Sequence, residues 1–175
     1  MKDVIKELVG WIVSILLIVA VSYLIVTFVG QRTQVSGSSM ETTLSDGDHL
    51  IVDKISYRFR EPQRYEIVVF PYRYEKNTYY IKRIIGLPGE TIQIKDGQIL
   101  IDGETYQENG EFPGIENAGV AETKVALDSG EYFVLGDNRN NSEDSRYADM
   151  GNVKKRNIIG KVWFIASPWS RFGFV

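Results

Sequence analysis

The hydrophobic pattern changes character at residue 30. From Leu8 to Gly30 the chain reads LVGWIVSILLIVAVSYLIVTFVG, 23 residues that lie inside an uncharged stretch between Glu7 and Arg32. At about 1.5 Å per residue, a helix of that length crosses a hydrocarbon layer of roughly 30 Å with some tilt. Beyond it the helical period disappears and apolar runs of strand length follow: HLIVDKI, EIVVF, YYIKRII, ETIQIKD, GQILIDG, EYFVLGD and IIGKVWFIA. These runs are rich in β-branched and aromatic residues, and Gly, Pro, Asn and Asp punctuate them. The pattern predicts a short tail over 1–7, a single transmembrane helix over 8–30, and one mainly β domain over 31–175.

Local signals refine this outline. Asp96-Gly97 stands between TIQIK and QILI, where two residues of positive φ match the twist of a hairpin. Residues 103–130 carry six acids, one lysine and few strand formers. They are read as a surface excursion with a short strand near 124–127. The apolar segment runs on to Val29 and exits into Gly30-Gln31-Arg32 without an A-x-A-like site, which favours a retained span over a cleaved leader. Lys2 and Lys6 are balanced by Asp3 and Glu7, so the flanking charges leave its orientation open.

A net charge of −3 argues against a nucleic-acid binder that relies on neutralising phosphates. The absence of cysteine removes disulfides, thiolate metal sites and thiol nucleophiles. No cofactor or metal is called for. The aromatic tail, Trp163, Phe164, Trp169, Phe172 and Phe174, is read mostly as core packing.

The candidate chemistry begins with QVSGSSMETTL, residues 34–44. A serine hydroxyl there needs a base. The single histidine, His49, follows Asp48 directly, and neighbours on a strand face opposite ways, so that carboxylate is badly placed to orient the imidazole. Lys82, in NTYYIKRIIGLPGE, is the better candidate. On an extended strand it and Arg83 face opposite sides, and if Lys82 faces inward, burial disfavours its ammonium form and makes it a base near neutral pH. Arg83 keeps its proton and cannot serve. GDNRNNSEDSR, residues 136–146, sets Ser142, Asp144 and Arg146 at alternate positions, a spacing that lets a carboxylate pair with a guanidinium while a hydroxyl points elsewhere.

Taken in order behind an N-terminal span, VSGSSMETTLSDGDHLIV, EIVVF, YYIKRIIGLPGE and GDNRNNSEDSR resemble the conserved boxes of bacterial type I signal peptidases, from Leu8 to the closing SRFGF. The resemblance implies an antiparallel β-sheet peptidase domain on the extracytoplasmic face, with the N-terminus cytoplasmic. It implies Ser39 as nucleophile, Lys82 as general base, Ser142 as a hydrogen-bond partner of the lysine, and Asp144–Arg146 as a structural ion pair. The family's oxyanion hole uses the N–H of the nucleophile, joined in some members by a hydroxyl two residues earlier; that position here is Gly37, so Ser36 or Ser38 would have to substitute. Thr42 stands where the pattern has proline, which loosens the turn, and Asn140 where Asp is common. The implied substrate is the signal peptide of a secreted preprotein, cut after small residues, with the lipid bilayer and the translocation machinery as partners. Two rivals are a self-cleaving repressor-type protease, which would carry a DNA-binding module in place of the span, and a tethered domain that only binds, against which stands the presence of every reacting group.

Overall fold

The structure is a computed structural model that describes residues 2–28, 30–74 and 78–175. Helix α1 spans Lys2–Phe28. It begins before the expected span because nothing in KDVIKE breaks a helix. Val29, inside that span, lies outside the described residues. From Lys6 to Tyr23 none of the helix surface is buried, so the apolar side chains find no protein partner. The helix is long and apolar enough to cross a membrane.

The remaining chain forms β1 (Gly30–Gln34), β2 (His49–Asp53), β3 (Ile67–Pro71), β4 (Tyr79–Gly86), β5 (Thr91–Lys95), β6 (Gln98–Ile101), β7 (Glu104–Thr105), β8 (Val125–Ala126), β9 (Glu131–Leu135), β10 (Val153–Lys154), β11 (Gly160–Ser167) and β12 (Gly173–Phe174). One sheet has the order β1-β2-β11-β3-β4-β9-β10, with β12 added to β11; the second has the order β7-β6-β5-β8. All described pairings are antiparallel. The fold is mainly β, as the strand-length runs predict. The β5–β6 turn is Asp96-Gly97, with φ of 52° and 75°, the positive pair that a two-residue hairpin requires.

Strand β4 divides its side chains between the two faces of the larger sheet. Its register on β3 sets Lys82 opposite Val68 and Tyr80 opposite Phe70, so these four share one face, which also carries Ile84 and the cluster with Tyr132 and Val134. Ile81 and Arg83 face the other way; Ile81 packs on the cluster of Ile67, Val69, Met40 and Leu50. A third cluster, Ile85, Ile92, Ile94, Phe133 and Leu135, joins the two sheets. The 103–130 segment is not confined to the surface. It supplies β7 and β8, and Ile115, Ala121 and Leu127 are buried in that third cluster, because the second sheet would otherwise leave one apolar face open.

The aromatic tail departs from expectation. Trp169 is 84% exposed, Phe174 78% and Phe172 50%. The rings pack on one another rather than inward: Phe164 meets Phe172 and Phe174 at centroid distances of 4.7 and 5.1 Å, and Trp169 meets Phe172 at 4.9 Å. The inward positions are taken by Val162 and Ile165 of β11, which leaves the larger rings outside.

Candidate active site

The turn between β1 and β2 carries Ser39. Its neighbour Met40 is 2% exposed and anchors the turn in the core. Backbone bonds Glu41 N to Ser38 O at 3.1 Å and Leu44 N to Met40 O at 2.8 Å close it, and Gly37 N donates to Asp46 Oδ1 at 2.8 Å. The polar 136–146 loop holds it from the other side. Asn138 donates through its backbone N to Ser39 O at 3.1 Å and through Nδ2 to Ser38 O at 3.1 Å, and Asn141 Nδ2 donates to Ser38 Oγ at 2.8 Å. Thr42 lies within this turn. It sits at φ of 77°, a region closed to proline and uncomfortable for any β-branched residue, and the surrounding bonds hold it there.

Lys82 Nζ donates to Ser39 Oγ at 2.7 Å, across 43 residues of sequence. Lys82 is 3% exposed, and its burial pulls the amine from an ordinary 10.5 down to about 8, against the attraction of Asp144, Glu143 and Asp137. That shift raises the neutral fraction at pH 7 about 300-fold. The aromatic face of Tyr80 lies 5.0 Å from Nζ.

Ser142 is placed differently from expectation. Its Oγ is buried and, among the described residues, has no hydrogen-bond partner, because the lysine amine is turned to Ser39 and Ser142 packs against Gly136, where a Cβ would overlap Ser142 Oγ and lie 2.5 Å from Ser39 O. Asp144 and Arg146 are bidentate, Nε to Oδ1 at 2.7 Å and an Nη to Oδ2 at 2.8 Å. Asp144 Oδ2 also accepts from Gly136 N at 3.1 Å. Gly37 lies on the wall of the site, and Ser36 lines it too. His49 is exposed, while Asp48 accepts from Ser45 N at 2.8 Å and Arg171 Nε at 3.1 Å.

Three features escape a reading of the sequence. Arg83, back to back with the lysine, is bidentate to Asp137 at 2.8 and 2.7 Å and also donates to Tyr65 O and Thr43 Oγ1. Its guanidinium and that of Arg139 lie 5.6 and 4.4 Å from the Phe112 ring, and Arg139 is bidentate to Glu108 at 2.5 and 2.6 Å. The 103–130 segment is thereby bolted to the site. Tyr80 Oη donates to Glu143 at 2.6 Å. Strand alternation was the available signal for Arg83; nothing local marks the other two.

Ser39 and Lys82 open into a cavity of about 190 Å³, walled by Gln34, Val35, Met40, Tyr80 and Ile81 among others. Beside it Tyr79–Lys82 pair with β3 on one edge, while β9 joins the other edge only from Arg83 onward. Among the described residues that half-edge is open. Ser39 N–H also has no hydrogen-bond acceptor among the described residues. The arrangement offers a hydroxyl on a buried, readily neutralised amine, an amide N–H on the same residue without an acceptor among the described residues, and a strand edge next to a cavity with both apolar and polar walls.

A family model described as signal peptidase, peptidase S26, matches residues 8–169. The chain is 43% identical over 155 residues to a signal peptidase I of Leptolyngbya laminosa, covering 84% of this chain and 73% of that protein. It is 36% identical over 172 residues to signal peptidase I of Bacillus licheniformis, covering 94% and 91%. A crystal structure of a signal peptidase I from Enterococcus faecalis is 32% identical, with a TM-score of 0.45, covering 58% of this chain and 97% of that one.

Proposed function

This chain belongs to the bacterial type I signal peptidase family, peptidase S26, and from that premise we propose that it removes signal peptides with Ser39 as nucleophile and Lys82 as general base. The observation that carries the reading is the 2.7 Å contact between Lys82 Nζ and Ser39 Oγ, made by a lysine whose burial brings its pKa to about 8. When the amine is neutral the bond reverses, and the serine O–H donates to the Nζ lone pair. Oγ attacks the carbonyl carbon of the scissile bond as the proton passes to Nζ. The resulting oxyanion is met by Ser39 N–H, the donor left without an acceptor. Lys82, now an ammonium, gives its proton to the leaving amine. The neutral lysine then takes a proton from water, which attacks the acyl-enzyme ester and frees Ser39.

The open half-edge of β4 supports recognition of an extended peptide as an added strand, with alternate side chains turned into the cavity. Its apolar walls suit the small residues before a signal-peptide cleavage site. Gly37 offers no side-chain donor, and Ser38 Oγ already accepts from Asn141, which leaves its O–H available. A buried hydroxyl without a partner costs about 1–3 kcal/mol, and such groups persist at working sites; Ser142 Oγ fits a partner for the lysine amine as it turns from Ser39 to the leaving group. Asp144–Arg146 holds the loop that carries Ser142.

Residues 8–30 serve as the anchor, 1–7 as a cytoplasmic tail and 31–175 as an extracytoplasmic peptidase domain. The exposed aromatic cluster then provides apolar rings for the bilayer interface, with the amphipathic Trp163 and Trp169 among them. The full chain in detergent micelles, incubated with a preprotein, should release the mature protein at one bond after a small residue, read by mass spectrometry. Ser39→Ala and Lys82→Ala should each reduce the rate at least 10³-fold with the circular dichroism spectrum retained, on the order expected for groups acting as a unit. Near-normal cleavage by either variant would remove the dyad.

A further inference from the structure

The chemistry of Ser39 and Lys82 leaves one charged group of the site unused. Glu143 stands between Ser142 and Asp144, both buried, yet is itself exposed, and it lines the same cavity as the serine and the lysine. Tyr80 Oη pins one carboxylate oxygen, Oε2, at 2.6 Å. Tyr80 is in turn fixed, stacked on Tyr72 at 4.6 Å and edge-on to Phe70 at 6.2 Å. Among the described residues the second oxygen, Oε1, accepts no hydrogen bond. Of the side chains that line the cavity, only Lys82 and Glu143 are ionisable at neutral pH. With the lysine neutral, as its role requires, the cleft presents the single negative charge of Glu143.

That charge works against the dyad, since attraction to Glu143 favours the ammonium form of Lys82. A carboxylate that opposes the base, held in place by a dedicated tyrosine, makes sense if it acts on the substrate. We propose that Glu143, braced by Tyr80, is a specificity-determining residue that accepts a Lys or Arg side chain placed within two residues of the scissile bond and disfavours Asp or Glu there. The proposal rests on the Ser39–Lys82 reading of the site.

The test uses the full chain in detergent micelles and quenched peptides with one Ala-x-Ala cleavage site. These carry Lys, Gln or Glu at the second position before the scissile bond, or at the first or second after it. At one of these positions at least, kcat/KM for Lys should exceed that for Glu about fivefold at low salt, the scale of one charge pair in a half-exposed cleft, and the ratio should fall toward one in 1 M NaCl. Glu143→Gln should abolish the ratio and Glu143→Lys should invert it. Removing the carboxylate also favours neutral Lys82, but that gain is common to all peptides and cancels in the ratio. Equal rates for the three peptides at every position, or a ratio that survives Glu143→Gln, would overturn the proposal while leaving the dyad standing. Undiminished cleavage by Ser39→Ala in the same assay would instead remove the reading beneath it.

Discussion

Lowering the pH from 9 to 6 should cut kcat/KM about a hundredfold. The perturbation acts on Lys82, the one base among the described residues that contacts Ser39 Oγ. Burial holds its pKa at about 8. About nine-tenths of the enzyme therefore carries a neutral amine at pH 9 and about a hundredth at pH 6. The limb should have unit slope and a midpoint near 8, measured with a peptide that has no group titrating in that window. Because Asp144 leads the attractions that oppose the shift, followed by Glu143, Glu143→Gln should move the midpoint to lower pH. Lys82→Arg should be inactive at every pH, since a guanidinium keeps its proton. Circular dichroism across the range would separate titration from unfolding. A profile flat from pH 9 to 6 in a folded enzyme, or an active Lys82→Arg, would refute the assignment of the base.

Removing the Lys82 amine should move stability and activity in opposite directions. The folded-state pKa of Lys82 lies below its unfolded value of 10.5, so between pH 8 and 10.5 the unfolded chain binds more protons and stability rises with pH. Lys82→Met should accordingly stabilise the domain by about 3 kcal/mol at pH 7 in denaturant melts, with the gain fading above pH 8. Ser142→Ala removes a buried hydroxyl that has no partner among the described residues and should raise stability by about 1 kcal/mol while slowing cleavage; a loss of stability would show that the hydroxyl is bonded after all. Gly136→Ala drives a Cβ into Ser142 and toward Ser39 O and should cost about 3 kcal/mol and nearly all activity. Asp137→Asn leaves Arg83 half-paired in a buried site and should lower stability by about 3 kcal/mol.

The parts of the molecule legible in sequence are those governed by short-range pattern. The apolar run, the Asp96-Gly97 hairpin and the strand-length segments each depend on residues a few positions apart. Lys82 stood out as a candidate base because few exist in a chain with one histidine and no cysteine, while its pairing with Ser39, rather than Ser36 or Ser38, came from the resemblance of the sequence boxes to the family. The remainder depends on partners brought together only by the fold. Arg83 finds Asp137 54 residues away, and Tyr80 finds Glu143 63 residues away. Hydropathy cannot tell a ring that packs inward from one that packs on other rings, which is why the aromatic tail looked like core. The acidic 103–130 segment looked like surface because its few buried residues, Ile115, Ala121 and Leu127, are scattered without a period.

The back-to-back placement of Lys82 and Arg83 on β4 couples accuracy of folding to activity. A slip of β4 by one residue against β3 would turn every side chain to the opposite face. It would present to Ser39 a cation that cannot give up its proton, and would strip Asp137 of its guanidinium at the same time. A misregistered copy is therefore both unstable and chemically silent. On the proposed Ser39–Lys82 chemistry the strand works as a safety interlock, in which an error of assembly yields no enzyme rather than an indiscriminate one.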